Sequence, residues 1–199
     1  MRPNVTPLIG RDAETGAVAE LLGVAAGESA ALILEGEPGI GKTTLWLNGL
    51  KQARGQGIRV LSARASAAES VLAYAGLADL LADVDDGLWA DLPRPQRQGL
   101  AAALLSESQT ASAPVDQRAV GAAFLTVLKR LAAQSPVLVA IDDLQWLDGS
   151  SAAAIAFAAR RLLDGVVWLC TARTIRRRRP PDGSTWADPT PFDGSRWDR

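Results

Sequence analysis

Residues 34–45 read LEGEPGIGKTTL and follow an apolar run that opens at Ala30. Between Gly36 and Thr43 the pattern is G-x-x-x-x-G-K-T, placed after an expected strand and at the start of an expected helix, the setting its mechanism needs. Glycines at 36, 39 and 41 permit positive φ, so that backbone N–H groups along Gly36, Glu37, Gly39, Ile40 and Gly41, interrupted at Pro38, can turn inward around phosphate oxygens. The helix N-terminus adds favourable partial charge. Lys42 then reaches the β and γ phosphates, and the Thr43 hydroxyl is placed to ligate Mg²⁺, which takes oxygen ligands in near-octahedral array. Thr44 reads as support for the helix. An ordinary glycine-rich turn is the competing reading, and the rest of the chain has to decide between them.

A second stretch, PVLVAIDDLQWLD, places Asp142 and Asp143 at the end of an expected buried strand. In a parallel sheet the carboxyl ends of the strands share one edge, so these acids should stand beside the phosphate loop. Asp142 would hold Mg²⁺ through water, and Asp143 would orient or deprotonate the attacking water; a capping or loop role is the plainer alternative for Asp143. A further strand ends in LCTAR, bringing Thr171 and Arg173 to the same edge. There an arginine could sense the γ-phosphate or stabilise charge developing in the transition state. Surface solvation of Arg173 is the other reading, and Trp146 reads as a core anchor, with a lid contact as the alternative.

Composition narrows the classes further. With 199 residues the chain is expected to form one globular unit with a sizeable core. Twenty-one Lys and Arg against 22 Asp and Glu leave a net charge of -1, so no global basic field is present to hold nucleic acid or an anionic membrane. The sequence contains no histidine and a single cysteine, Cys170. This excludes His-based catalysis, His metal sites, thiolate zinc clusters and any internal disulfide. The start, MRPNVTPLIGRDAE, lacks an apolar signal region, and no membrane-length apolar run follows; a cytoplasmic location is the expectation.

Four short apolar segments read as strands covered on both faces: around 31–35, 58–63, 136–142 and 165–171. Helices are expected between them, the first after Arg11 with Asp12 as its cap, the second following the glycine loop to about Gly55–Gly57. Further helical patterns are YAGLADLLAD, RPQRQGLAAALLS, DQRAVGAAFLTVLKRLAAQ and SSAAAIAFAARRLLD. The alternation predicts an α/β domain over residues 1–173 with a parallel sheet, an all-helical insertion at about 64–115 and a polar loop at SESQTASAP. From Thr174 to Arg199 the chain is proline-rich and aperiodic, and is expected to be disordered.

With LIGRDAE, LEGEPGIGKTTL, LVAIDDLQWLD and LCTAR in this order, the chain resembles the AAA-like P-loop ATPase domain of STAND signalling proteins, and most closely the nucleotide-binding module at the front of large LuxR-type transcriptional activators. SVLAYAGLADLLAD and LPRPQRQGLAAAL look like that family's helical insertion. The resemblance implies a three-layer sandwich of the additional-strand type, with the last strand inserted between the first and the third. It also implies that Ile9, Gly10 and Arg11 pack near adenine, that ATP, ADP and Mg²⁺ are the ligands, and that slow hydrolysis drives a nucleotide switch. Such proteins continue into a lid, inducer-sensing repeats and a DNA-binding domain. None of these follows Arg173 here, so the chain reads as a truncated form or fragment, whose partners would be nucleotide, a second copy or the missing regulatory domains. A non-hydrolysing ATP-binding module, or a remnant of a DNA-binding regulator, is the alternative. Four arginines, Arg176 to Arg179, could contact phosphates, but no recognition helix accompanies them and direct DNA binding is not expected.

Overall fold

The computed structural model describes residues 11–85, 87–104, 115–161 and 163–174. Ile9, Gly10, the loop at 106–114 and the arginine run lie outside these residues, as does the tail beyond Thr174. The described chain alternates as expected: α1 (Asp12–Val24), β1 (Ala30–Gly36), α2 (Lys42–Gly55) and β2 (Arg59–Arg64) come first. The helices α3 (Ala75–Leu81), α4 (Gly87–Ala90), α5 (Arg94–Leu104) and α6 (Gln117–Ala132) follow, then β3 (Val137–Asp142), a 3₁₀ turn at Leu144–Trp146, α7 (Gly149–Ala159) and β4 (Val166–Arg173).

The four strands form one sheet in the order β1-β4-β3-β2, every pair parallel. The last strand therefore lies between the first and the third, as the resemblance implied. Alternate residues of the central strands serve two separate cores. Val137, Val139, Ile141, Val166, Trp168 and Cys170 face one side, where α3, α5, α6 and α7 pack. Leu138, Ala140, Val167 and Leu169 face the other, against Val18, Leu22, Leu45, Trp46 and Leu50 of α1 and α2. A strand covered on both faces reads as a near-continuous apolar run, and all six residues of β3 are buried, with Asp142 at its end as the one polar member.

Two expectations are corrected at the margins. β1 alternates between partly or fully covered positions and exposed ones instead of being covered throughout, because it lies at the edge of the sheet; Ile33 is 43% exposed. Asp12 is the first residue of α1 and not its cap: Arg11 holds the cap position without a side-chain capping bond. Asp12 and Glu14 instead place negative charge in the first turn, where the helix dipole favours it. Asp116 does cap its helix, accepting from the backbone N–H groups of Arg118 and Ala119.

Candidate functional site

Register decides what meets at the carboxyl edge. Gly36 is paired with Arg173, Ile141 with Cys170, and Arg64 with Asp142, so β1 and β4 end together, about two residues beyond the ends of β3 and β2 at the same edge. The chain leaves β1 through Glu37 and Pro38 and enters α2 at Lys42. Gly39 and Gly41 hold φ of +80° and +93°, a region that penalises any side chain. At Gly36 the constraint is space: an added methyl would stand 3.1 Å from Ile40 Cγ2.

Lys42 is 8% exposed and folded back over the loop it follows. Its ammonium donates to the carbonyls of Gly36 and Glu37 at 2.8 and 3.0 Å. These bonds satisfy a nearly buried charge. Arg11 reaches across from α1, donating to the Ile40 carbonyl and pairing with Glu14 at 3.2 Å. A cleft of about 340 Å³, lined in part by Arg11, Glu14, Ile33, Lys42 and Leu45, opens beside it. Thr44 is exposed on the first turn of α2.

Asp142, 2% exposed, is the centre of a polar knot. Its Oδ1 accepts from Thr171 Oγ1 at 2.6 Å and from Thr43 Oγ1 at 3.4 Å, and its Oδ2 stands 3.6 Å from Arg64 Nε. Thr43 and Asp142, separated by 99 residues in sequence, thus present a hydroxyl and a carboxylate side by side. Both are hard oxygen donors of the kind Mg²⁺ takes. Among the described residues no group of three or more His, Cys, Asp or Glu could hold a metal.

Asp143 begins the 3₁₀ turn in the left-handed region, φ 59° and ψ 55°, a conformation that Asp tolerates better than most residues. Its backbone N–H donates to Thr171 Oγ1 at 2.8 Å, so one threonine hydroxyl organises both acids. The Asp143 carboxylate accepts from Gln145 Nε2 at 2.6 Å and lies 3.6 Å from Arg173 Nε. Gln145 Oε1 in turn accepts the Arg173 backbone N–H at 3.1 Å. The Arg173 guanidinium sits 5.7 Å from the centre of the Trp146 ring. Trp146, expected in the core, is only partly buried and belongs to this cluster.

The sequence reading missed three residues. Arg64 ends β2 and meets Asp142 only through strand register. Gln145 lies between the acids and Trp146 and belongs to no pattern that announces its chemistry. Asp148 accepts from the backbone N–H groups of Tyr74, Gly76 and Ser151 at 2.8 to 3.2 Å, so it caps α7 and ties down the start of α3 together. A signal existed for Asp148 alone: an Asp before GSSAAA at a helix start. Burial pushes its carboxyl pKa up, but the hydrogen bonds from Ser151, Gly76 and Tyr74 outweigh this and hold it below the usual value.

Among solved structures, the chain is similar to a DNA replication initiation factor at 18% identity, covering 93% of this chain and 43% of that one with a TM-score of 0.45. The ORC2 protein of Aeropyrum pernix, solved in ADPNP–ADP complexes, gives 20% identity, 88% and 44% coverage and a TM-score of 0.46. DnaA of Aquifex aeolicus with bound AMPPCP gives 16%, 94% and 46%, and 0.45. The chain spans less than half the length of each of these structures. No curated protein matches it. The family model described as an AAA ATPase domain matches residues 7–169, the span that holds the glycine loop, both aspartates and the first half of β4, and the chain belongs to that family.

Proposed function

We propose that the chain is an ATP-binding module with slow, Mg²⁺-dependent hydrolysis, the nucleotide switch of a STAND or LuxR-type signalling regulator. The observation that carries this reading is the meeting of Lys42, Thr43, Asp142 and Asp143 at one sheet edge, next to a loop that two positive-φ glycines hold open. Lys42 would exchange its two loop carbonyls for the β and γ phosphates. The cleft beside Arg11 would take the adenine. Thr43 and Asp142 would hold Mg²⁺, which supplies neutralisation of charge at the phosphates.

In the hydrolysis we propose, water oxygen attacks the γ-phosphorus and the bond to the β–γ bridging oxygen breaks. Asp143 takes the water proton, and ADP and inorganic phosphate leave. Arg173 would turn from Asp143 toward the γ-phosphate, where its charge meets charge that develops in the transition state.

The test is titration calorimetry of wild type and Lys42→Ala with Mg²⁺-ATP and with ADP, followed by phosphate-release assays on Asp143→Asn. Lys42→Ala should weaken ATP binding by about tenfold or more, the loss of charge-assisted bonds worth about 1.5–3 kcal/mol. Asp143→Asn should keep binding and lose turnover. Folded wild type that binds neither nucleotide would refute the proposal.

A further inference from the structure

The glutamine between the acids and Trp146 has a defined chemical task. Gln145 Nε2 donates to Asp143 Oδ1 while Gln145 Oε1 accepts from the backbone N–H of Arg173. This fixes the amide's orientation, since a carboxylate needs a donor and an N–H needs an acceptor. The Arg173 guanidinium approaches the same oxygen, Oδ1. One carboxylate oxygen is therefore held from two sides, and the second, Oδ2, takes no hydrogen bond from the described residues. Asp143 is itself the left-handed residue that starts the 3₁₀ turn, so its backbone and one carboxylate oxygen are both constrained.

We propose that Gln145 is a positioning residue for hydrolysis. By anchoring Oδ1, it presents Oδ2 to the attacking water, and by bonding the end of β4 it keeps Asp143 in step with Arg173. A general base must lie within hydrogen-bond reach of the proton it removes, and a displacement of about 1 Å can cost about a hundredfold in rate. The inference rests on the hydrolysis reading above and assigns a residue which that reading does not include.

The discriminating experiment compares Gln145→Met and Gln145→Glu in the full chain, measuring steady-state ATP turnover, Mg²⁺-ATP affinity by calorimetry and thermal stability. Gln145→Met removes both bonds at similar length, and should lower kcat about tenfold or more with affinity within about twofold of wild type. Gln145→Glu keeps the acceptor for the Arg173 N–H but faces Asp143 with a like charge. It should therefore turn over more slowly than Gln145→Met. A residue that merely braces the end of β4 would give the reverse order, and that order overturns the proposal. In an Asp143→Asn background Gln145→Met should have no further effect on kcat, because the group it positions is gone. Wild type that binds ATP without turnover overturns the hydrolysis reading and this inference with it. Wild-type turnover left intact by Gln145→Met overturns this inference alone.

Discussion

Single residues in this domain carry more than one duty. Asp148 receives three backbone N–H groups from two segments far apart in sequence. Asp148→Ala would leave those donors unsatisfied at a position only 4% exposed, and should cost about 2 kcal/mol or more in chemical denaturation. The pH dependence follows from the depressed carboxyl. Its folded pKa is below the unfolded value of about 3.9, so the native state favours the ionised form. Its contribution is complete above the unfolded value, and is lost as pH falls through the folded value. Denaturant midpoints of wild type and Asp148→Asn should therefore differ by a constant amount at neutral pH and converge below about pH 4. A gap that persists unchanged into acid would contradict this account.

At the scale of elements, close approach sets the limits. α6 packs on α7 through Gly121, where an added methyl would come within 2.9 to 3.2 Å of three atoms of Phe157. Gly121→Ala gains about 1 kcal/mol of helix propensity, while overpacking costs about 1–3 kcal/mol. The substitution should lower the melting temperature, and a rise would show that Phe157 can move aside. The larger elements were legible in the sequence because each carries its own pattern: an apolar run for β3, a long helical pattern for α6, a glycine loop between β1 and α2. α4 was missed because four residues hold no periodicity. The half-covered state of β1 was missed because an apolar run does not say which strand will be at the edge. The same division runs through the site. Lys42, Thr43 and Asp142 belong to patterns whose residue types announce their chemistry. Arg64 and Gln145 contribute through strand register and a turn, which exist only after folding. Trp146 was misread for a related reason: a large aromatic after a buried strand is usually core, but here the turn begun by Asp143 leaves it partly exposed beside Arg173.

For the molecule as a whole, two cores back onto one sheet whose two outer strands, β1 and β2, each have a single neighbour among the described residues. β1 pairs with β4 alone, and Ala31 and Ile33 of its AALILE run are exposed. Open strand edges of low charge invite pairing with another chain. Sedimentation should detect concentration-dependent association that Ile33→Lys suppresses without altering the circular dichroism spectrum. A wild type that remains monomeric at high concentration would remove this expectation. No helix among the described residues is long and apolar enough to cross a membrane.

Cys170 gives the central sheet a built-in clock. It lies within β4, is buried, and has its thiol pKa pushed up to about 12 by desolvation. At neutral pH the folded thiol is shielded and protonated, and a thiol reagent can reach it only when β4 opens. The rate of labelling thus counts openings of the strand whose far end carries Thr171 and Arg173. A nucleotide bound only to the closed form slows that rate by the factor 1 + [L]/Kd, so one colorimetric trace, taken with and without ATP, measures occupancy of the phosphate loop from inside the sheet.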